Sequence, residues 1–201
     1  MDRKQFLALL RATRATHHQN SVRDYHLWLF LGNSGLRISE ALQLVVPDLR
    51  LREDPAWVRV RSLKQNGERL DAVLLDAKTA RAMGRWVRQL KGRFGHFPAG
   101  EVPVFPALVR RRLGCPPSRM SRANAYQLFR RYAHKAELPR EMTLHSLRHY
   151  RATTLYQTTR DLEFVKQQLR HRKLSSTQVY LSISPARARK YLIQLEKRPR
   201  T

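Results

Sequence analysis

The sequence has little cysteine and few acidic side chains. Its 201 residues include one cysteine, Cys115, so no internal disulfide can form and no set of thiolates can bind zinc. The chain has fifteen Asp and Glu residues and forty Lys and Arg residues, which gives a net charge of +25. Such an imbalance favours a polyanionic partner, and nucleic acid is the first to consider.

Long apolar runs and biased segments are also missing. No stretch approaches the roughly 18 apolar residues of a membrane-spanning helix. Arg11 and Arg14 follow a short apolar stretch, residues 6–10, where a signal peptide would have small residues. We therefore expect a cytoplasmic, nucleoid-associated protein without a membrane partner. The basic residues are spread among regular hydrophobic patterns, which favours a folded basic domain, although composition alone leaves a ribosomal or architectural protein open.

The hydrophobic periodicity predicts a mainly α-helical chain with a small antiparallel sheet, an α+β fold. A short helix carrying Ile38 and Leu42 should follow Arg37, and Gly35 should end the helix before it. Further helix starts are predicted at capping residues, namely Asp2, Ser21 with Asp24 three residues later, Asp76, Ser121, Thr143, Asp161, and Ser184 with Pro185.

Strands are predicted at residues 57–63 and 70–75, on either side of Asn66-Gly67, a dipeptide suited to a two-residue hairpin turn. Lys64 lies near that turn, and Leu49 with Leu51 could add a third strand. Residues 94–119 hold five of the ten prolines and three of the eight glycines. This composition indicates an irregular connection, with one extended piece at residues 102–105.

Three clusters of residues could carry chemistry. The first is the segment Gly35-Leu36-Arg37-Ile38-Ser39-Glu40, which places an arginine where the amides of a helix start already favour an anion. An ordinary surface arginine at a helix start is the alternative, and the segment alone does not decide between them.

The second cluster is His145-Ser146-Leu147-Arg148-His149. A spacing of three puts His145 and Arg148 on one helical face, where a phosphate could bridge them. His145 and His149 are four residues apart, but no Glu lies between them to complete a hydrolytic zinc site, so we expect no metal. A cationic helix face on the DNA backbone is the alternative, particularly for His149.

The third cluster contains His171 and Tyr180, separated by a short polar stretch. A lone tyrosine is usually a half-buried packing residue. Tyr180 stands out because of the order of the whole set along the chain: an arginine, a hairpin lysine, His-x-x-Arg, a histidine and then this tyrosine.

That order resembles the tyrosine recombinase and phage integrase family, from about residue 7 to residue 192. The resemblance implies that residues 1–183 form the integrase catalytic domain, which works without a cofactor. It implies catalytic roles for six residues and a supporting role for Glu40 beside the first arginine; the six are Arg37, Lys64, His145, Arg148, His171 and Tyr180.

The chain departs from the family pattern in two ways. The family usually has glycine before its second histidine, where this chain has Arg170, so that side chain alters the turn or adds a DNA contact. Arg172 and Lys173 are further candidate DNA-binding residues. The chain also begins almost at the catalytic domain, as in short recombinases resembling fimbrial switch invertases, or as in a catalytic fragment of a longer protein.

The activity implied by the resemblance is site-specific recombination of duplex DNA through a 3′-phosphotyrosine intermediate. The expected partners are double-stranded DNA with specific sites, further copies of the chain in a homodimer or homotetramer, and an accessory DNA-bending protein. The C-terminal segment 184–201 either packs on its own domain or exchanges between subunits. Two alternatives are DNA relaxation like that of type IB topoisomerases, and a DNA-binding regulator with this fold but no turnover.

Overall fold

The computed structural model of the chain describes residues 1–16, 18, 20–64, 67–108, 115–170 and 185–197, with the backbone alone for residues 62–64, 67–70 and 185. Over these ranges the chain forms eight α-helices and three strands: α1 Arg3–Arg14, α2 Ser21–Ser34, α3 Ile38–Gln43, β1 Leu49–Arg50, β2 Trp57–Lys64, β3 Gly67–Leu74, α4 Ala77–Phe94, α5 Arg122–Lys135, α6 Leu144–Thr159, α7 Leu162–Leu169 and α8 Pro185–Lys197. The predicted mainly helical fold with a small antiparallel sheet is confirmed.

Side-chain caps fix most of the helix starts in the predicted places. The carboxylate of Asp2 accepts from the Gln5 amide at 2.8 Å, and four more predicted capping residues accept amide bonds in the same way: Asp76, Ser121, Thr143 and Asp161. The predicted cap at Ser21 is wrong. α2 starts at Ser21 itself, after Asn20, which makes no side-chain cap bond. The physical reason is that Asp24 is buried beside Arg23 and is unable to serve the helix start.

The sheet has the order β1-β2-β3, and both pairs are antiparallel. The predicted third strand is therefore confirmed. The register pairs Lys64 with Gly67, so Gly67 is the first residue of β3. The expected turn on Asn66-Gly67 is wrong at Gly67, because this residue is paired within β3; Asn66 lies outside the described residues.

The main core is built around α2, which packs against α1, α4 and α6. Its fully buried side chains include Leu27, Trp28, Phe30, Val58, Phe105, Phe129 and Leu147. The irregular connection after α4 passes through this core, since Val104 and Phe105 are completely buried and Trp86 Nε1 donates to the Val104 carbonyl at 2.7 Å.

A second, smaller core joins the C-terminal half of α6 to α7 and α8. Leu155, Phe164 and Leu169 are buried there, and the ring of Tyr191 lies 5.0 Å from that of Phe164. In this structure α8 packs on its own chain, and Glu196 Oε1 accepts from the Ala77 amide at the start of α4 at 2.6 Å. None of the helices in the described ranges is long and apolar enough to span a membrane.

Candidate active site

Arg37 lies directly before α3, at its N-cap position. Its amide donates to Glu40 Oε2 at 2.8 Å, and its guanidinium Nη1 donates to Glu40 Oε1 at 3.1 Å. The side chain is 47% exposed, so Glu40 fixes one edge of the guanidinium and leaves the rest open to solvent. The arrangement leaves Arg37 able to bind an anion from outside.

Arg148 lies on α6 and is buried, with 5% of its surface exposed. Its Nη1 donates to the Gly35 carbonyl at 2.6 Å, and its Nη2 donates to the Leu169 carbonyl. Burial and the neighbouring charge of Arg37 lower the pKa of Arg148 to about 10. Arg148 therefore stays charged at neutral pH and is held by two backbone carbonyls from different helices.

Gly35 ends α2 in the left-handed conformation, with a φ of 71°. A Cβ atom at this position would lie 2.6 Å from Leu169 Cδ2 and 3.1 Å from Arg151 Cγ. The absence of a side chain thus lets α2, α6 and α7 meet closely enough for Arg148 to reach both carbonyls.

His145 and His149 are neighbours on the exposed face of α6. Their rings meet edge to face, with centroids 4.7 Å apart. The pKa of His145 is lowered by partial burial and then by the nearby His149, Arg148 and Arg37. His145 is consequently a neutral imidazole at neutral pH, which is the form that can accept a proton.

A cleft of about 670 Å³ brings these side chains together. Arg37, His145 and Arg148 line it, together with Arg122 and Tyr126 from α5. Sequence analysis missed the last two residues. Arg122 and Tyr126 are four residues apart and follow the capping Ser121, so both lie on one face of the first turns of the helix. This spacing could have identified them from the sequence.

Arg170 ends α7 in the left-handed conformation, with a φ of 54° and a ψ of 48°. Its side chain is only 9% exposed. The guanidinium Nη2 lies 2.5 Å from Glu40 Oε1, and Nε lies 3.8 Å from Asp71 Oδ2 on β3. These two carboxylates lie beside the charge of Arg170. Asp71 is a third residue that sequence analysis missed.

Glu40 is shared by the two arginines. Burial by itself would raise the pKa of this carboxyl, but the charge of Arg170 and the hydrogen bonds from the amide and guanidinium of Arg37 lower it overall. Glu40 is therefore ionised at neutral pH and links Arg37 to Arg170.

The remaining candidates fall partly or wholly outside the described residues. Lys64 is the last residue of β2, and the structure describes its backbone only. His171, Arg172, Lys173 and Tyr180 lie outside the described residues. The structure thus brings together the described members of the predicted set, which are Arg37, Glu40, His145, Arg148, His149 and Arg170.

The geometry of the cleft suits a phosphate group. Arg37 and Arg148 can each offer a planar pair of N–H groups to its oxygen atoms, and a neutral imidazole lies beside them. In the described part of the chain, no group of three or more His, Cys, Asp or Glu side chains is placed to bind a metal ion.

Comparison with known proteins identifies the family. A model of the phage integrase family matches residues 1–187. The tyrosine recombinase XerD of Staphylococcus epidermidis is 28% identical over 194 residues, which cover 96% of this chain and 61% of that protein. The tyrosine recombinase XerC of Herpetosiphon aurantiacus is 31% identical over 184 residues, which cover 91% of this chain and 55% of that protein. The chain spans just over half the length of the curated relatives it matches.

Two solved structures show the same fold. The XerA recombinase aligns with a TM-score of 0.69 and 22% identity, over 100% of this chain and 65% of that one. The XerH site-specific recombinase, bound to its difH substrate in a pre-cleavage complex, aligns with a TM-score of 0.65 and 23% identity, over 96% of this chain and 49% of that one. With its cationic cleft and this fold, the chain belongs to the phage integrase family.

Proposed function

We propose that the chain cleaves and rejoins duplex DNA at specific sites through a covalent 3′-phosphotyrosine intermediate, with Tyr180 as the nucleophile. The observation that carries the proposal is the cleft in which Arg37, His145 and Arg148 converge. Membership of the phage integrase family and the similarity to XerC and XerD support the same activity.

The two arginines stabilise the charge that builds on the phosphoryl oxygens. Arg148 is already fixed by the Gly35 and Leu169 carbonyls, so its remaining N–H groups need no large rearrangement to meet the phosphate. Arg37, half exposed in the same cleft, binds the phosphate as well. Such preorganised donors typically contribute about 10² to 10³ in rate each.

Tyr180 needs help to lose its proton, because an ordinary tyrosine has a pKa of about 10. His145 accepts that proton, since its lowered pKa keeps it neutral. His171 adds a further donor to the phosphate, and Lys64 at the end of β2 protonates the departing 5′ oxygen. The ester retains the bond energy, so a 5′ hydroxyl from another strand reverses the step without ATP.

The substrate in this proposal is double-stranded DNA with specific sites, bound by a homodimer or homotetramer with the help of an accessory DNA-bending protein. The net charge of +25 favours this polyanion. Exchange of the segment 184–201 between subunits would have to replace the contact of Glu196 with Ala77 and the 2.8 Å ion pair of Arg187 with Asp161.

A nicked suicide duplex tests the proposal. The wild-type chain should form a covalent adduct with a duplex that carries its recombination site, and Tyr180→Phe should form none while binding the same duplex. An adduct with Tyr180→Phe would exclude this nucleophile. Supercoil relaxation without strand exchange would instead favour a topoisomerase.

A DNA-binding regulator without turnover is the second candidate. The specific observation in its favour is Arg170, which occupies a position where the family usually has glycine. Specific binding of the duplex by the wild-type chain, with no adduct on the suicide substrate, would support the regulator and reject the recombinase.

A further inference from the structure

Arg170 combines two features that no other described arginine combines. It adopts a positive φ, which is normal for glycine and rare for other residues, and it buries its guanidinium between two carboxylates. The other described arginine with a positive φ, Arg160, is exposed and lies over the ring of Tyr156 at 5.9 Å. The strained backbone at Arg170 therefore coincides with a specific set of contacts.

Those contacts join three parts of the fold. Glu40 belongs to α3 and holds Arg37, Asp71 belongs to the β2–β3 hairpin, and Arg170 itself ends α7. Lys64 ends the strand that pairs with β3, and His171 follows Arg170 directly in the sequence. Three of the proposed catalytic residues are thus linked to Arg170: Arg37 through the shared Glu40, Lys64 through the strand that pairs with β3 and Asp71, and His171 through the backbone.

We propose that Arg170 is a positioning residue for strand cleavage: by pairing with Glu40 and Asp71 it holds the hairpin that carries Lys64 against the part of the cleft that carries Arg37. It acts through these two carboxylates and does not touch the DNA. The inference rests on the proposed cleavage activity. The burial of the Arg170 side chain argues against the DNA contact that the sequence alone suggested, because the guanidinium faces Glu40 and Asp71 instead of solvent.

The charge balance supports a positioning role. Glu40 alone would neutralise much of the charge of Arg37, which the cleft needs for a phosphate. With Arg170 paired to the same Oε1 atom, Glu40 is shared between two cations and neutralises less of the charge of Arg37 than it would alone. Arg170 thus allows Glu40 to orient Arg37 without cancelling its charge.

The test compares substitutions at both ends of the Arg170–Asp71 ion pair. Arg170→Gly keeps the backbone conformation and removes the guanidinium, whereas Asp71→Asn removes the hairpin carboxylate. We expect each to lower the single-turnover rate of adduct formation by about 10 to 10², since displacement of a group by about 1 Å has effects of that size. The dissociation constant for the same duplex should change by less than about twofold, because the side chain contacts no phosphate.

A double-variant cycle and a conservative variant separate positioning from a general loss of structure. Arg170→Gly with Asp71→Asn should cost little more than Arg170→Gly alone, because the glycine already removes the ion pair that Asp71→Asn breaks. Arg170→Lys should recover part of the rate, since its single ammonium keeps the charge but cannot span two carboxylates as a guanidinium does. Arg160→Gly is the matched control: it makes the same substitution at the same backbone conformation, and its rate should equal that of the wild type.

Amide hydrogen exchange of β3 in the free protein gives a readout that does not need activity. Exchange should be faster in Arg170→Gly and Asp71→Asn than in the wild type, and unchanged in Arg160→Gly. Unchanged exchange in the first two variants would overturn the proposal, even if the wild type formed no adduct and the proposed function itself had failed. Weakened DNA binding at an unchanged rate in Arg170→Gly, or an equal loss of rate in Arg160→Gly, would overturn it as well.

Discussion

The described part of the chain buries arginine in two places, and the groups that compensate the charge differ between them. In the main core, Arg23 donates to Asp24 through both Nε and Nη2, at 2.8 and 2.7 Å, and to the Pro106 carbonyl. Tyr132 completes the group by donating to the other oxygen of Asp24 at 2.9 Å. Among the described residues, Arg148 in the cleft donates to two backbone carbonyls, and Arg151, one turn further along α6, has two buried nitrogens without a hydrogen-bond partner.

The difference separates a structural site from one prepared for a ligand. Arg23 has a carboxylate of its own, so its charge is neutralised within the fold. Around the cleft, Glu40 is shared between Arg37 and Arg170, and burial lowers the pKa of both Arg148 and Arg151. Positive charge is in excess there, which an arriving phosphate would relieve.

The largest expected effect is on the structural site. Asp24→Ala should lower the free energy of unfolding by about 3–5 kcal/mol, because it leaves Arg23 buried without a counter-charge. Urea denaturation measures the loss. Asp54→Ala is the control: its ion pair with Arg189 is exposed on both sides, so it should cost less than about 1 kcal/mol. An equal loss in both variants would remove the distinction between buried and exposed pairs.

The next effect is on the cleft. Arg148→Lys should lower the rate of adduct formation by about 10² to 10³, because lysine has no planar pair of donors for the phosphate. The free energy of unfolding should fall by no more than about 1.5–3 kcal/mol, the contribution of hydrogen bonds to a charged group. A loss of stability like that of Asp24→Ala, with an unchanged rate, would show that Arg148 is structural after all.

Gly35→Ala tests the close packing of the end of α2 against α7, beside the cleft. We expect it to lower the free energy of unfolding by about 1–3 kcal/mol, because the new Cβ atom would overlap Leu169 and strain a positive φ. Gly84→Ala is the control, since it lies inside α4 with open space around it and should stabilise the protein by about 0.4–1 kcal/mol. A neutral Gly35→Ala would mean that α7 can move away from α2 without cost.

The smallest effect concerns pH. His145 must be neutral to accept a proton, and its pKa lies below the ordinary histidine value of 6.5. The rate of cleavage should therefore stay constant down to pH 6.5 and fall only at lower pH. His149→Gln removes one of the charges that lower this pKa, so the acid limb should shift to higher pH. A pH profile on the suicide duplex measures the shift. A profile that His149→Gln leaves unmoved would argue against His145 as the base.

Sequence could predict the parts of the site that depend on local signals. The helix start at Arg37, the end of α2 at Gly35 and the face shared by His145 and Arg148 all follow from spacing over a few residues. The cap expected at Ser21 failed because Asp24, the residue meant to complete it, is held by Arg23 and by Tyr132 from a distant helix.

The surroundings of Arg170 could not be predicted in this way. From the sequence, an arginine at a position where the family usually has glycine predicts either a strained left-handed backbone, at a cost of about 1–2 kcal/mol, or a new surface charge. Only the folded chain places Glu40 and Asp71 on either side of it. The predicted position of the hairpin turn was also wrong at Gly67, because the pairing of the two strands puts this residue inside β3.

The carbonyls that hold Arg148 are both at the C-terminal ends of helices, Gly35 after α2 and Leu169 at the end of α7. The aligned peptide dipoles of a helix place roughly half a negative elementary charge at that end. Two helix ends together thus offset on the order of one positive charge, without any carboxylate. No carboxylate among the described residues is hydrogen-bonded to Arg148, so an arriving phosphate would not have to displace one of them to reach this cation.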